Sequence, residues 1–309
     1  MNHESASLAI SKDSRPPLMT LGRKIGWPSR SDVSPLRYPG GKRKLAPYVA
    51  AAVEDAGATR LFVEPFSGGA SVSISLLEAG TVESVGLCDA DPLVASFWQT
   101  VFSPDAAVLA NLVRNAAVDV DEWRRMREWR PERRIDLAFK CLYLNRTSFS
   151  GSIHPYAGPM GGWNQTSDNP IGSRFNQQKI ADRIEALSTR RDQVAFVEHA
   201  SYQQVLRRAR EGRSWPAKAT ETFWYFDPPF FAKAGRLYAH HFDGAAHQAL
   251  ADELKDVPGN WMLSYDDHPE AMRLYGGHPG FAKVALQYTA RVGSGRENKT
   301  EVVVSDRTK

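Results

Sequence analysis

Apolar residues along the chain fall into two kinds of block. Short runs at 61–66 (LFVEPF), 84–88, 194–198 (VAFVE), 223–226 and 261–264 read as strands. The first stops at a Pro and a Gly pair, the second at Asp89. Longer stretches suit helices: 44–55 (KLAPYVAAAVED), 70–79 (ASVSISLLEA, closed by Gly80), 93–102, a segment near 176–188, and one opening at Tyr202. Strand, Gly-rich turn, helix, strand, acid is a βαβ unit, which predicts an α/β fold with a parallel sheet. Residues 283–292 and 301–305, around GSGRENK, predict a C-terminal antiparallel hairpin. There is no internal repeat.

Two regions break the alternation. Residues 119–136 carry six arginines matched by six acids, which reads as a solvated, salt-bridged helix or, alternatively, a nucleic-acid patch. Residues 147–176 are rich in Gly, Ser, Asn, Pro and aromatics and read as irregular loops or a small hairpin. An insert of this kind between βα units carries specificity. Residues 1–34 lack a sustained apolar period and are interrupted by Pro16, Pro17 and Pro28, the pattern of a mobile tail or of residues upstream of the true start.

Composition narrows the classes. At 309 residues the chain holds one or two domains, with 42% hydrophobic and 24% charged residues, the balance of a soluble globular protein. Two cysteines, Cys88 and Cys141, exclude a disulfide scaffold and a thiolate zinc cluster, and their apolar settings predict buried free thiols in a reducing, cytoplasmic compartment. No run approaches the roughly 18 apolar residues of a membrane span, so no membrane partner is expected. The net charge of +4 is unevenly placed: residues 1–48 hold nine Lys/Arg against three acids, leaving the remainder at −2. A pI near 9.0 is therefore a property of the N-terminal segment.

Three stretches carry candidate chemistry. Phe66-Ser67-Gly68-Gly69-Ala70 follows a strand and opens a helix, where glycines admit a ligand close to the backbone and the helix start offers free N–H groups. Asp89, 21 residues past Gly68 at the end of the next strand, is placed to bond the ribose of an adenosine-containing cofactor, with Asp91 as its rival. Asp227-Pro228-Pro229-Phe230 follows the strand at 223–226; a carboxylate and a carbonyl acceptor suit an –NH2 group, and an aromatic supplies a stacking face. A simple turn with a capping Asp is the alternative. Arg37-Tyr38-Pro39-Gly40-Gly41-Lys42 offers a tight backbone and a cation but lacks the spacing of a P-loop. His240, His241 and His247 have no accompanying metal-ligand pattern, so no metal is expected. Trp123 and Trp129 read as core, Trp163 as core or DNA-facing. Arg207, Arg208, Arg210 and Arg213 read as phosphate contacts or a solvated face, and Arg291, Arg296 and Lys299 as backbone contacts at the hairpin tip.

RYPGGK at 37–42, FVEPFSGGAS at 62–71, Asp89 in CDADP and DPPF at 227–230, with LYLNRTSFSG at 142–151, occur in the order and spacing of the Dam-like (α-class) DNA adenine-N6 methyltransferases, and residues 35 to about 305 resemble that family. The resemblance implies a Rossmann-like methyltransferase sheet plus an inserted, largely helical and loop-rich target-recognition domain. It divides the chain into a tail (1–34), a catalytic domain (35–95 and 190–309) and a target-recognition insert (96–189). It implies S-adenosylmethionine as cofactor, held by Tyr38, Lys42, Glu64, Pro65, Phe66, Gly68, Asp89 and Asp227. Asp227, Pro228, Pro229 and Phe230 become the catalytic motif, an acid at 227 favouring adenine N6 over cytosine N4. Asn145, Arg146, Ser148, Gly151, Trp163 and Arg296 become nucleic-acid contacts. The implied activity is site-specific methylation of a flipped-out adenine in double-stranded DNA by a monomer or weak dimer near the nucleoid, alone or with a cognate restriction endonuclease or defence system. A non-catalytic nucleic-acid binder and an RNA methyltransferase are the alternatives. Ala70 and Phe230 depart from the family's commoner Gly and Tyr.

Overall fold

The computed structural model describes residues 33–37, 41–231, 242–288 and 297–306. Tyr38, His240, His241, Arg291, Arg296 and the Lys299 side chain lie outside the described residues, as does almost all of the basic tail.

Five of the apolar runs form strands: β1 (Leu61–Glu64), β2 (Ser84–Asp89), β3 (Val194–His199), β4 (Thr222–Phe226) and β5 (Asn260–Asp266). With β6 (Phe281–Tyr288) and β7 (Glu297–Ser305) they make one seven-stranded sheet in the order β3-β2-β1-β4-β5-β7-β6. β1 to β5 pair in parallel, and β7 runs antiparallel between β5 and β6. This is the mostly parallel, Rossmann-like sheet with the expected terminal hairpin.

The strand sequences are near-continuous in apolar residues because both sheet faces are covered. Successive side chains alternate between faces. Phe62, Leu87, Phe223, Tyr225 and Met262 join a core with α1 (Ala46–Ala56), α2 (Ser71–Ala79) and α3 (Pro92–Val101). Leu61, Val63, Cys88, Trp224, Phe226 and Leu263 join a second core beneath α8 (Tyr202–Glu211), α9 (Gly244–Glu253) and α10 (Pro269–Tyr275). Gly80 ends α2 in the left-handed conformation at φ 70°. Cys88 and Cys141 are buried free thiols.

The insert consists of α4 (Ala106–Arg114), α5 (Val120–Glu128), α6 (Arg134–Thr147) and α7 (Gln177–Ser188), joined by irregular loops. It has no separate core. Leu109, Leu142 and Ile184 belong to the same buried cluster as Phe62, Phe97 and Trp98 of the sheet side, and the expected boundary at residue 96 falls inside α3. The segment 119–136 is two helices and not one: Asp119 caps α5, which stops at Glu128 ahead of Pro131, and α6 begins at Arg134. Residues 147–176 hold two short 3-10 turns and a single bridge between Ser148 and Pro159, matching their irregular composition.

Candidate active site

Strand order reverses between β1 and β4, so the chain leaves their carboxyl ends toward opposite sides and opens a cleft there. The three sequence motifs meet in this cleft. It is lined by Gly41 and Lys42, by Glu64 and residues 66–72, by Asp89 and Asp91, and by Asp227, Pro228, Pro229 and Phe230. Phe242 closes one side, its ring 5.6 Å from that of Phe66.

The β1–α2 turn is held by side chains from its surroundings. Gly68 and Ala70 both adopt left-handed backbone, at φ 43° and 46°. Ala70 carries a Cβ penalty there of about 1–2 kcal/mol and offers α2 no side-chain cap. Glu64 supplies one from β1: its Oε2 accepts from the Ser73 amide at 3.2 Å and from the Ser73 hydroxyl. The Trp98 indole donates to the Gly68 carbonyl at 2.8 Å. Asp89 Oδ2 accepts from Gly68 N–H at 2.8 Å and Oδ1 from Asp91 N–H at 2.9 Å. Asp91 is spent on the Leu93 amide at the start of α3, so Asp89 is the carboxylate that faces the turn. Burial pushes Glu64 up to about 8 and Asp89 up to about 7, the neighbouring acids adding to the effect and the hydrogen bonds opposing it.

Across the cleft, Asp227 Oδ1 lies 3.3 Å from Lys42 Nζ and accepts from the Ser264 hydroxyl at 3.2 Å. The Tyr225 hydroxyl meets Ser264 at 2.8 Å. Lys42 is itself buried, with Glu301 Oε2 at 3.4 Å and the Phe230 ring centroid at 4.6 Å. Burial raises the Asp227 pKa, and Lys42 pulls it back down. Phe231, next in sequence, packs instead among His247, Tyr265 and His268. His247 bonds the Tyr265 hydroxyl at 2.7 Å, and burial lowers its pKa to about 4, so it is a neutral core residue. Among the described residues no cluster of His, Cys, Asp and Glu is arranged to hold a metal.

Glu301, Ser264, Trp98 and Phe242 are part of this site and are missing from the sequence reading. Glu301 had a signal, being an acid leading the apolar run Val302-Val303-Val304.

The expected nucleic-acid residues of the segment 145–151 make bonds within the chain. Asn145 is 1% exposed, accepts from Arg37 N–H at 2.6 Å, and donates to the Arg37 and Gly151 carbonyls at 3.0 and 2.8 Å. Ser148 is buried and accepts from the Trp123 indole. Arg146 donates to the carbonyls of Ser34, Pro35 and Arg174. Gly151, at φ 75°, sits where a Cβ would come within 2.2 Å of the Arg37 carbonyl. These residues spend polar atoms building the turn at 148–151 and tying it to the segment before Lys42. Exposed there are Trp163 and two aromatics that the sequence reading missed, Phe149 and Tyr156.

Two comparisons bear on this geometry. A 92-residue stretch is 25% identical to the type II methyltransferase M.CviBI of Paramecium bursaria Chlorella virus NC1A, covering 30% of this chain and about a third of that protein's length. The family model of the D12 class N6 adenine-specific DNA methyltransferases matches residues 38–289, from the Lys42 segment through the cleft and the insert to β6. The chain belongs to the D12 class N6 adenine-specific DNA methyltransferase family.

Proposed function

We propose that the protein is a site-specific DNA adenine methyltransferase, transferring a methyl group from S-adenosylmethionine to N6 of an adenine flipped out of double-stranded DNA. The observation that carries this reading is the meeting of Asp227-Pro228-Pro229 with the β1–α2 turn and Asp89 across one cleft.

The cleft's chemistry fits the cofactor. Asp89 retains acceptor capacity for ribose hydroxyls beyond its two backbone bonds. Asp227 and Glu301 flank Lys42, and Glu64 and Asp89 add acceptor oxygens to the cleft wall, which suits a ligand bearing a sulfonium and an ammonium group. Phe66 and Gly68 would flank its methionine part. Bound there, S-adenosylmethionine supplies a methyl group on a sulfonium that leaves without acid assistance.

The chain's own residues then act on the adenine. Its exocyclic nitrogen is a poor nucleophile because the lone pair is delocalised into the ring. Asp227 and the Pro228 carbonyl accept its two N–H bonds and favour the tetrahedral geometry in which the lone pair is available. Asp227 accepts these bonds as a carboxylate; burial raises its pKa, and Lys42 at 3.3 Å opposes that rise. The bond from N6 to the methyl carbon forms as the methyl–sulfur bond breaks, its electron pair staying on the sulfur. The Asp227 carboxylate stabilises the positive charge that develops on N6, and the surplus amine proton passes to solvent. Phe230 is the stacking partner for the extruded base.

The insert selects the sequence, with Trp163 and the turn at 148–151 facing the duplex. We assign the enzyme to the cytoplasm near the nucleoid, as a monomer or weak dimer, and, by analogy with the type II relative, to a restriction-modification or defence role. No described helix is long and apolar enough to cross a membrane.

Incubation of the purified protein with labelled S-adenosylmethionine and either DNA or RNA, followed by digestion to nucleosides, tests the proposal. Label in N6-methyladenine from DNA is the expected result. Label from RNA alone would change the substrate, and no transfer to either would leave a non-catalytic binder.

A further inference from the structure

The arginines of the α5–α6 region divide into two sets. Four are ion-paired: Arg124 with Asp121, Arg125 with Glu122, Arg133 with Asp136 and Arg134 with Asp105, at 2.5 to 2.8 Å. Arg127 and Arg130 have no carboxylate within ion-pair distance among the described residues, and neither does Lys140 of α6. These three converge. Arg130 Nη1 and Lys140 Nζ both donate to the carbonyl oxygen of Trp129, so two cations share one neutral acceptor. Arg127 sits one turn back, over the Trp123 ring at 5.4 Å, and donates to the carbonyls of Ile153 and His154 in the insert loop.

Capping the carboxyl end of α5 accounts for part of this gathering. The Arg130 guanidinium also bonds the Arg127 and Glu128 carbonyls, both at 2.8 Å. A helix terminus offers only about half a negative charge, however, against three full positive ones. Burial lowers the pKa of Lys140, which is 7% exposed, to about 8, and the neighbouring Arg130 and Arg127 add to that fall. A partly buried set of like charges without a counterion is costly unless an anion completes it.

We propose that Arg127, Arg130 and Lys140 form a site for a backbone phosphodiester of the bound DNA strand, with exposed Arg130 making the contact and the two cations behind it strengthening the local field. The assignment rests on DNA being the substrate. It places a phosphate beside the loop that carries Phe149 and Tyr156, so the strand is gripped by charge where the insert presents its aromatic side chains. The carbonyl bonds of Arg130 engage Nη1, and its guanidinium brings two further nitrogens to a phosphate. A phosphate contact positions the duplex without reading its sequence.

The test is the salt dependence of binding of the full-length protein to a duplex of defined sequence. Arg130→Gln should reduce the slope of log affinity against log salt by about one and weaken binding roughly tenfold at low salt. Lys140→Met should weaken binding about threefold, and Arg130→Lys should restore most of what Arg130→Gln loses. Arg133→Gln, which breaks an ion pair on the same surface, should change neither slope nor affinity. At saturating DNA the turnover number and the sequence preference should hold in all four variants. Thermal unfolding shows that each is folded, and should one variant unfold, the remaining three still decide. The site is overturned if Arg130→Gln behaves like Arg133→Gln, if both lower the slope equally, or if the unaltered protein has no salt-dependent affinity for DNA. Salt-dependent binding without methyl transfer would sink the enzymatic reading and leave the site standing.

Discussion

The switch-point cleft and the α5–α6 surface solve opposite charge problems. In the cleft, buried Lys42 is held between two acids, Asp227 and Glu301, with Glu64 and Asp89 close by as further acceptors. On the insert, Arg127, Arg130 and Lys140 gather around backbone carbonyls with no acid among them. The chain's net charge of +4 conceals this separation. One pole suits a cationic cofactor and the other a polyanionic substrate, and the acids and bases within each are set by which strand ends and helix ends converge there.

The largest effect that would break the comparison is at the acidic pole. Asp227→Ala should reduce methyl transfer by at least about a thousandfold while DNA binding stays within a few-fold, because the substitution removes the amine acceptor and leaves the insert intact. Single-turnover assays beside filter binding would check this; retained transfer would deny Asp227 its role. Asp89→Ala comes next. It strips the acceptor from Gly68 and Asp91 N–H and from the ribose, so cofactor affinity should fall about 10- to 100-fold by calorimetry, again without loss of DNA affinity.

A third prediction uses pH. Glu64 titrates near 4.5 when unfolded and about 8 when folded, so between those values the native state holds a proton that the unfolded chain has lost. Its contribution to stability is therefore present below about pH 4.5 and is lost as pH rises toward 8, and Asp89 acts in the same direction up to about 7. The melting temperature of the unliganded protein should fall between pH 5 and 8. Glu64→Gln, which keeps an acceptor for Ser73, should flatten that fall; an unchanged profile would mean that Glu64 is ionised in the native state. The smallest effect concerns Ala70, whose left-handed backbone glycine adopts without penalty. Ala70→Gly should stabilise the fold by about 1 kcal/mol in denaturant titration.

Much of the catalytic half was legible because its signals are local. Strands β1, β2 and β4 carry apolar runs that end in Glu64, Asp89 and Asp227, and a chemical role follows from a strand end in a parallel sheet. Helices α4, α9 and α10 and most of α6 escaped, as did the break at Pro131, since the charge pattern of 119–136 runs across it without change. Partners distant in sequence were illegible for a different reason. Nothing around Asn145 says that it meets Arg37, 108 residues away, or that Lys42 will lie beside Glu301. The same limit hid the division of the arginines, because a count of acids and bases matches totals and cannot say which pairs touch.

The placement of β7 between β5 and β6 has a consequence for how the protein is made. Lys42 is synthesised early, and its first carboxylate, Asp227, arrives well before the second, Glu301, which enters only when β7 slots into the sheet. A chain stalled on the ribosome short of residue 301 carries β1 to β5 and Asp227 but lacks the second carboxylate that lies beside Lys42. The surroundings of Lys42 are thus completed by β7, the last of the described strands in chain order, and an abortive translation product carrying every sequence motif would still lack Glu301.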